Sequence, residues 1–343
     1  MKVITFFNNK GGVGKTTLAV NIAAYLSIEM KKRILFIDGD PQANSTQMII
    51  PEENWLDLYG DEPKAFTLQA YLRPLVQGDS TIRTQGLSPI SKEVNRFEVD
   101  LIPGDPKLSV IEDILSDAWN KCKSGSLEGF RKSNWLRGIT EHYNQDYDFI
   151  FVDVGPSLGA LNRSILLNSD YIITPMGSDI FSLMAVKNIA TWMNSWRNLY
   201  QNGIELMKRE AVEFDDFALN LDIHNTSLLI GYSVQQYVTK TFKGGRRPIK
   251  SYDAIIKEMP GVISEALVKV IPEKLTIDNL NLGDVPYLYS LVPLAQSNNT
   301  PIFQLKSSDG LGGLQYGQVQ KYKETLHDIC EKLVNNLGEL NVI

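Results

Sequence analysis

The feature that most constrains the fold is an apolar run, Val3-Ile4-Thr5-Phe6-Phe7. It leads into a glycine-rich turn and then a stretch with Leu18, Ile22 and Leu26 at helical spacing. Strand, tight turn and helix in that order read as the start of a βαβ unit. The alternation continues along the chain. Strands are expected at 2–7, 33–38, 98–102, 148–153, 170–175, 226–234 and 287–292. Helices are expected near 16–31, 105–117, 134–144, 158–168, 181–200, 251–267 and 316–338. Runs such as Phe149-Ile150-Phe151-Val152 are apolar throughout, as strands covered on both faces should be. The pattern predicts an α/β fold: a doubly wound, mainly parallel sheet with helices on both faces.

Two stretches interrupt the rhythm. Residues 51–97 are rich in Pro, Gly and Ser and read as helices and loops hung on the sheet, while 201–225 is acidic around Glu210, Glu213, Asp215 and Asp216. Because sheet strands are spread along the whole chain, residues 1–343 are expected to form a single domain carrying these two insertions. With 43% hydrophobic and 22% charged residues, the chain has enough apolar material for a sizeable core. The net charge of -6 means that any nucleic-acid contact must come from a local basic patch. Two distant cysteines, Cys122 and Cys330, and three histidines argue against a disulfide framework or a Cys/His zinc site. No apolar run reaches the roughly 18 residues of a membrane span, and a strand at the very start leaves no room for a leader. A cytoplasmic location is expected.

The glycine-rich turn is Asn9-Lys10-Gly11-Gly12-Val13-Gly14-Lys15-Thr16-Thr17. Glycines at 11, 12 and 14 let backbone N–H groups converge on phosphate oxygens without Cβ interference. The helix that follows adds its N-terminal dipole and free donors at the same spot. In such a loop Lys15 would reach the β- and γ-phosphates, and the Thr16 hydroxyl would ligate Mg²⁺. Two further strands end in acids. Ile34-Leu35-Phe36-Ile37 leads to Asp38-Gly39-Asp40-Pro41-Gln42-Ala43-Asn44, and Phe149-Ile150-Phe151-Val152 leads to Asp153. In an open α/β sheet, ligands bind at the carboxyl ends of strands, which places these acids facing the loop.

The loop, with Lys10 as a second lysine, resembles the deviant Walker A loop of the ParA/MinD family of P-loop ATPases. Asp38 to Asn44 is similar to that family's D-x-D-P-Q-x-N switch I, and Asp153 matches its Walker B carboxylate. The family usually reads D-x-P-P after that strand; here Gly155 stands at the first proline position, before Pro156. The likeness covers 1–50 strongly and 98–200 well, is weak over 226–335, and is absent over 51–97 and 201–225. It implies that Lys10 crosses a dimer interface to the other subunit's ATP, that Asp40 positions the attacking water, and that Asp38 lies near the metal's water shell. Catalysis would then rest on Lys10, Lys15 and Asp40, with Thr16, Asp38 and Asp153 serving the metal. A second cation near the γ-phosphate would stabilise charge developing during transfer, as an arginine finger does.

Several branches are set aside on residues. Asn120-Lys121-Cys122-Lys123 and Thr239-Lys240-Thr241-Phe242 lack the acid that pairs with guanine, which favours ATP. Two separated cysteines cannot hold an iron–sulfur cluster. The last helix has Val319, Tyr322, Leu326, Ile329 and Leu333 at helical spacing but few cations in its final turns, so it should pack on the sheet rather than lie on a membrane. What remains is the DNA-partitioning branch. ATP-driven homodimers would bind DNA without sequence preference, and a small ParB-like partner would stimulate an otherwise slow hydrolysis. The segment Lys240, Lys243, Arg246, Arg247 and Lys250, on a Gly/Pro-bearing loop, offers a patch for backbone phosphates. Two other readings stay open: a ParA relative that positions a non-DNA cargo, and an ATP-dependent ligase or amidase that activates a carboxylate.

Overall fold

The computed structural model describes residues 1–209, 217–237, 239–242, 245–248 and 250–341, with 236–253 as backbone only. Nine strands are present among these residues: β1 (Lys2–Phe6), β2 (Ile34–Asp38), β3 (Asp100–Ile102), β4 (Phe149–Asp153), β5 (Tyr171–Gly177), β6 (Leu228–Tyr237), β7 (Thr239–Phe242), β8 (Gly245–Pro248) and β9 (Val285–Pro286). Seven form one sheet in the order β3-β2-β4-β1-β5-β6-β9, and every neighbouring pair is parallel. All five residues of β2 and of β4 are buried, four apolar residues and a terminal Asp in each, as in a sheet covered on both faces.

The helix Lys15–Ile28 is buried nearly all round, with Leu18, Ile22 and Leu26 each at most 1% exposed. Each such side chain contributes about 1.5–3 kcal/mol of hydrophobic stabilisation. Its Tyr25 ring packs edge-on against Phe303 at 5.4 Å, and the Tyr25 hydroxyl lies 3.1 Å from His327 Nδ1 on the last helix, Gln315–Glu339. That last helix buries Val319, Tyr322, Leu326, Ile329 and Leu333, so the apolar stripe faces the protein core, as expected. No described helix is long and apolar enough to cross a membrane.

Three local expectations differ from the structure. The apolar run at 287–292 is not a strand: the edge strand β9 ends at Pro286, and Leu291–Ser297 is a helix. Pro286 closes the edge strand, and Pro293 sits in the first turn of the helix, where a missing N–H costs nothing. The stretch from 201 does not begin an insertion, because the helix Ile180–Arg209 continues through it on Tyr200, Ile204 and Met207, all fully buried. Of the acids marked there, Glu210, Glu213, Asp215 and Asp216 lie outside the described residues. The basic segment is a hairpin rather than a loop, with β7 and β8 antiparallel and Lys240 in register with Arg247. Lys243 lies outside the described residues; the others are described by backbone alone.

Candidate nucleotide site

Asp38 and Asp153 end adjacent parallel strands in direct register, and Phe6 at the end of β1 is in register with Asp153. The parallel pleat therefore delivers two carboxylates and the start of the glycine loop to one sheet edge. Gly12 and Gly14 adopt φ of 73° and 79°, a left-handed backbone that favours glycine. Gly14 is the N-cap of the helix Lys15–Ile28, which carries no side-chain cap and no acid in its first turn. Its first N–H groups are thus left for an anion. A Cβ built on Gly12 would have nothing within 4 Å, so that face of the loop is open. Asn9 Oδ1 is buried with no hydrogen-bond partner among the described residues.

The Asp153 carboxylate gathers three donors. Lys15 Nζ reaches Oδ1 at 2.5 Å, while Thr16 Oγ1 and Ser45 Oγ donate to Oδ2, each at 2.7 Å. Asp38 accepts from the backbone N–H and hydroxyl of Thr46 at 2.8 and 2.7 Å, and from the Asp40 N–H at 3.2 Å. Burial, with the neighbouring Asp153 charge second, pushes the Asp38 carboxyl up to about 7. Two buried carboxylates and two hydroxyls form the all-oxygen donor set that suits a hard divalent cation such as Mg²⁺. Asp40 accepts from the Gln42 N–H at 2.9 Å and lies against Gly155, where a Cβ would come 3.2 Å from Oδ1. Behind it, the Asn162 side-chain amide donates to the carbonyls of Gly155 and Ser157 at 2.7 and 2.8 Å, tying down the loop after β4.

Lys10 is held apart from this cluster. Its Nζ pairs with Asp179 Oδ2, and its N–H donates to Asn8 Oδ1 at 2.9 Å. Beyond Asp179, Ile180, Phe181 and Met184 are 53%, 66% and 55% exposed at the start of the long helix.

A cavity of about 990 Å³ joins these parts, lined by the loop from Lys10 to Thr17, by Asp40 and by Pro156. Its far wall includes Glu52, Trp55 and Gln296. A second hollow of about 200 Å³ shares Gly14, Thr17 and Pro293 with the first and is lined by Gln235, Tyr289 and Tyr322. Of the residues expected from sequence, Lys15, Thr16, Asp38 and Asp153 form one cluster with Asp40 beside it, and Lys10 stands at the rim. Ser45, Asp179 and Trp55 were not anticipated: no motif marks them, and only the fold brings them in.

A family profile described as an AAA domain matches residues 1–206. The chain belongs to the ParA/MinD family of ATPases. This ParA/MinD relative is 30% identical over 188 residues to the sporulation initiation inhibitor protein Soj of Bacillus subtilis, covering 55% of this chain and 63% of Soj. It is similar to the solved protein DIP2308 from Corynebacterium diphtheriae, at 31% identity and TM-score 0.68 over 87% of this chain and 97% of that one. A putative plasmid partition protein from Borrelia burgdorferi bound to AMPPNP shares the fold, at 18% identity and TM-score 0.54 over 97% and 98%. The chain spans about three fifths of the length of several curated relatives, Soj at 63% among them.

Proposed function

We propose that the chain is a ParA-like ATPase that dimerises face to face on ATP and binds DNA without sequence preference. A small ParB-like partner then stimulates hydrolysis and resets the monomer, and the cycle partitions DNA. The observation that carries the reading is the loop with two lysines, Lys10 and Lys15, each held by a carboxylate at the mouth of one large cavity.

The ATP phosphates would lie on the N–H groups from Gly11 to Thr17 and displace the Asp153 carboxylate from Lys15. The base would enter the smaller hollow beside Tyr289. Thr16, Asp38 and Asp153 would hold Mg²⁺, which supplies charge neutralisation at the β- and γ-phosphates. Asp40 would orient the attacking water. Lys10, released from Asp179, would reach the triphosphate on the other subunit. The exposed apolar residues Ile180, Phe181 and Met184 beside Asp179 support a face that is covered in the dimer. The β7–β8 hairpin, with Lys240 in register with Arg247, supports a local site for backbone phosphates on an acidic protein. The Borrelia neighbour's bound AMPPNP, an ATP analogue, supports the choice of nucleotide.

Sedimentation velocity with Mg·ATP and with Mg·ADP, alongside filter binding to nonspecific DNA, tests the cycle. ATP should convert monomer to dimer and switch on DNA binding, and Arg246→Glu with Arg247→Glu should abolish it. ATP-independent or absent DNA binding would overturn the DNA half, and a monomer in saturating ATP would overturn the whole.

A further inference from the structure

A second groove, of about 650 Å³, lies in the 51–97 region and does not share a wall with the nucleotide cavity. Its size is in the range of specific ligand sites. Two aromatic side chains line it partly exposed, Tyr59 at 39% and Phe66 at 37%. Three cations line it from three segments: Arg73 on the helix Leu68–Val76, Arg83 on the following loop, and Lys107 on the turn after β3. All three are exposed, and none forms an ion pair among the described residues. Asp105, the one carboxylate among the lining residues, accepts from the Thr67 hydroxyl and the Lys107 N–H, both at 2.8 Å, so it makes no direct ion pair with the three cations and the lining keeps an excess of positive charge. On a chain of net charge -6, three cations without ion-pair partners facing a single carboxylate around an aromatic groove mark an anionic ligand. Their spread over separate segments fits an extended ligand that alternates acids with an apolar side chain.

The groove is wired to the sheet edge. The Tyr59 hydroxyl donates to the Gly104 carbonyl at 2.9 Å, the Gly104 N–H donates to Thr46 Oγ1 at 2.8 Å, and Thr46 Oγ1 donates to Asp38 at 2.7 Å. A Cβ on Gly104 would come 2.9 Å from Asp38 Cγ, so this backbone bears directly on that carboxylate. Asp105, the next residue, faces the groove.

We infer that this groove is the docking site for an acidic, aromatic-bearing peptide segment of a protein partner, and that its occupancy is transmitted through Gly104 to Asp38. Docking stands on the groove alone; transmission rests on the proposed nucleotide-site role of Asp38. A random-peptide phage library selected on the nucleotide-free protein tests docking. The enriched peptides should be rich in Asp, Glu and aromatics, and fluorescence anisotropy should show binding that weakens from 50 to about 200 mM salt by screening. The variant Arg73→Glu/Arg83→Glu/Lys107→Glu should lose at least tenfold in affinity; since the three side chains are exposed, its circular dichroism should match the parent. No enrichment, enrichment of non-acidic peptides, undiminished binding by the variant, or full competition by pyrophosphate or citrate alone would each overturn docking. For transmission, the peptide should change Mg·ATP affinity at least threefold in the parent and not in Tyr59→Phe, which still binds it. An equal effect in both would overturn that step while leaving docking intact.

Discussion

The Lys10 ammonium is bonded to the Asp179 carboxylate, which follows the neighbouring strand β5 on the far side of β1 from Asp153. Both side chains are about one third exposed, 30% and 39%, so the pair is screened and contributes little to stability. Its effect is on position. In the proposed dimer, Lys10 stays on its own subunit while the pair holds, and a triphosphate across the interface would have to compete with Asp179. Asp179→Asn should therefore raise the fraction of dimer at subsaturating ATP, and Lys10→Ala should bind ATP yet neither dimerise nor hydrolyse it. The turnover loss should be on the order of a hundredfold or more. Sedimentation velocity at graded ATP reads both effects; an Asp179→Asn variant that dimerises no better than the parent would discard the latch.

Lys15 and Asp153 behave differently because both are buried, at 7% and 0% exposure. Removing one partner of such a pair leaves a buried charge, at a cost of about 3–5 kcal/mol. Lys15→Ala should lose Mg·ATP binding by calorimetry, and its thermal midpoint should also fall. Lys15→Met keeps the side-chain volume and removes the charge. If it binds ATP as the parent does, the phosphate role of Lys15 is wrong.

The site and the centre of the fold were legible because their residues are contiguous in sequence. Gly11 to Thr17 form one turn, and Asp38 and Asp153 each close an apolar run. Asp179 and Ser45 were not legible, since neither closes an apolar strand nor sits in a glycine-rich turn, and only the folded chain brings them to Lys10 and Asp153. The 201–209 stretch was misread on composition: the acids that follow it in sequence drew attention from the spacing of Tyr200, Ile204 and Met207, which carry the helix onward. The reverse happened at 287–292, where apolar content suggested a strand but the edge strand β9 stops at Pro286 and a helix begins at Leu291.

Gly155 stands where the family carries proline, and a Cβ there would come 3.2–3.4 Å from the Asp40 carboxylate. That is tight enough to move Asp40 by a few tenths of an ångström while leaving the loop from Gly11 to Thr17 untouched. Gly155→Ala should slow ATP hydrolysis several-fold with Mg·ATP affinity unchanged, a loss confined to the chemical step. Asp40→Ala should retain ATP and accumulate dimer. Single-turnover kinetics beside equilibrium binding separates these outcomes; a matched loss of affinity in Gly155→Ala would refute the assignment.

Arg96, just before β3, holds Asp309 near the C-terminal helix through two bonds of 2.8 and 3.0 Å. The Arg96 hydrogen bonds keep the Asp309 carboxyl below the usual carboxylate range. A carboxyl lowered in the fold stabilises above its unfolded value, near 3.9, and that contribution is lost as pH falls through the folded value. The parent should thus lose stability steadily as pH drops below about 4, with part of that slope owed to this pair. Asp309 is only 8% exposed, so Arg96→Ala should cost about 1–3 kcal/mol at neutral pH, from a carboxylate left without its partner. Asp309→Asn with Arg96→Ala should recover part of that loss and flatten the acid limb. Urea unfolding at pH 7 and at pH 3.5 measures both; an acid limb identical in parent and double variant would show that the link between the 51–97 region and the C-terminal segment is not electrostatic.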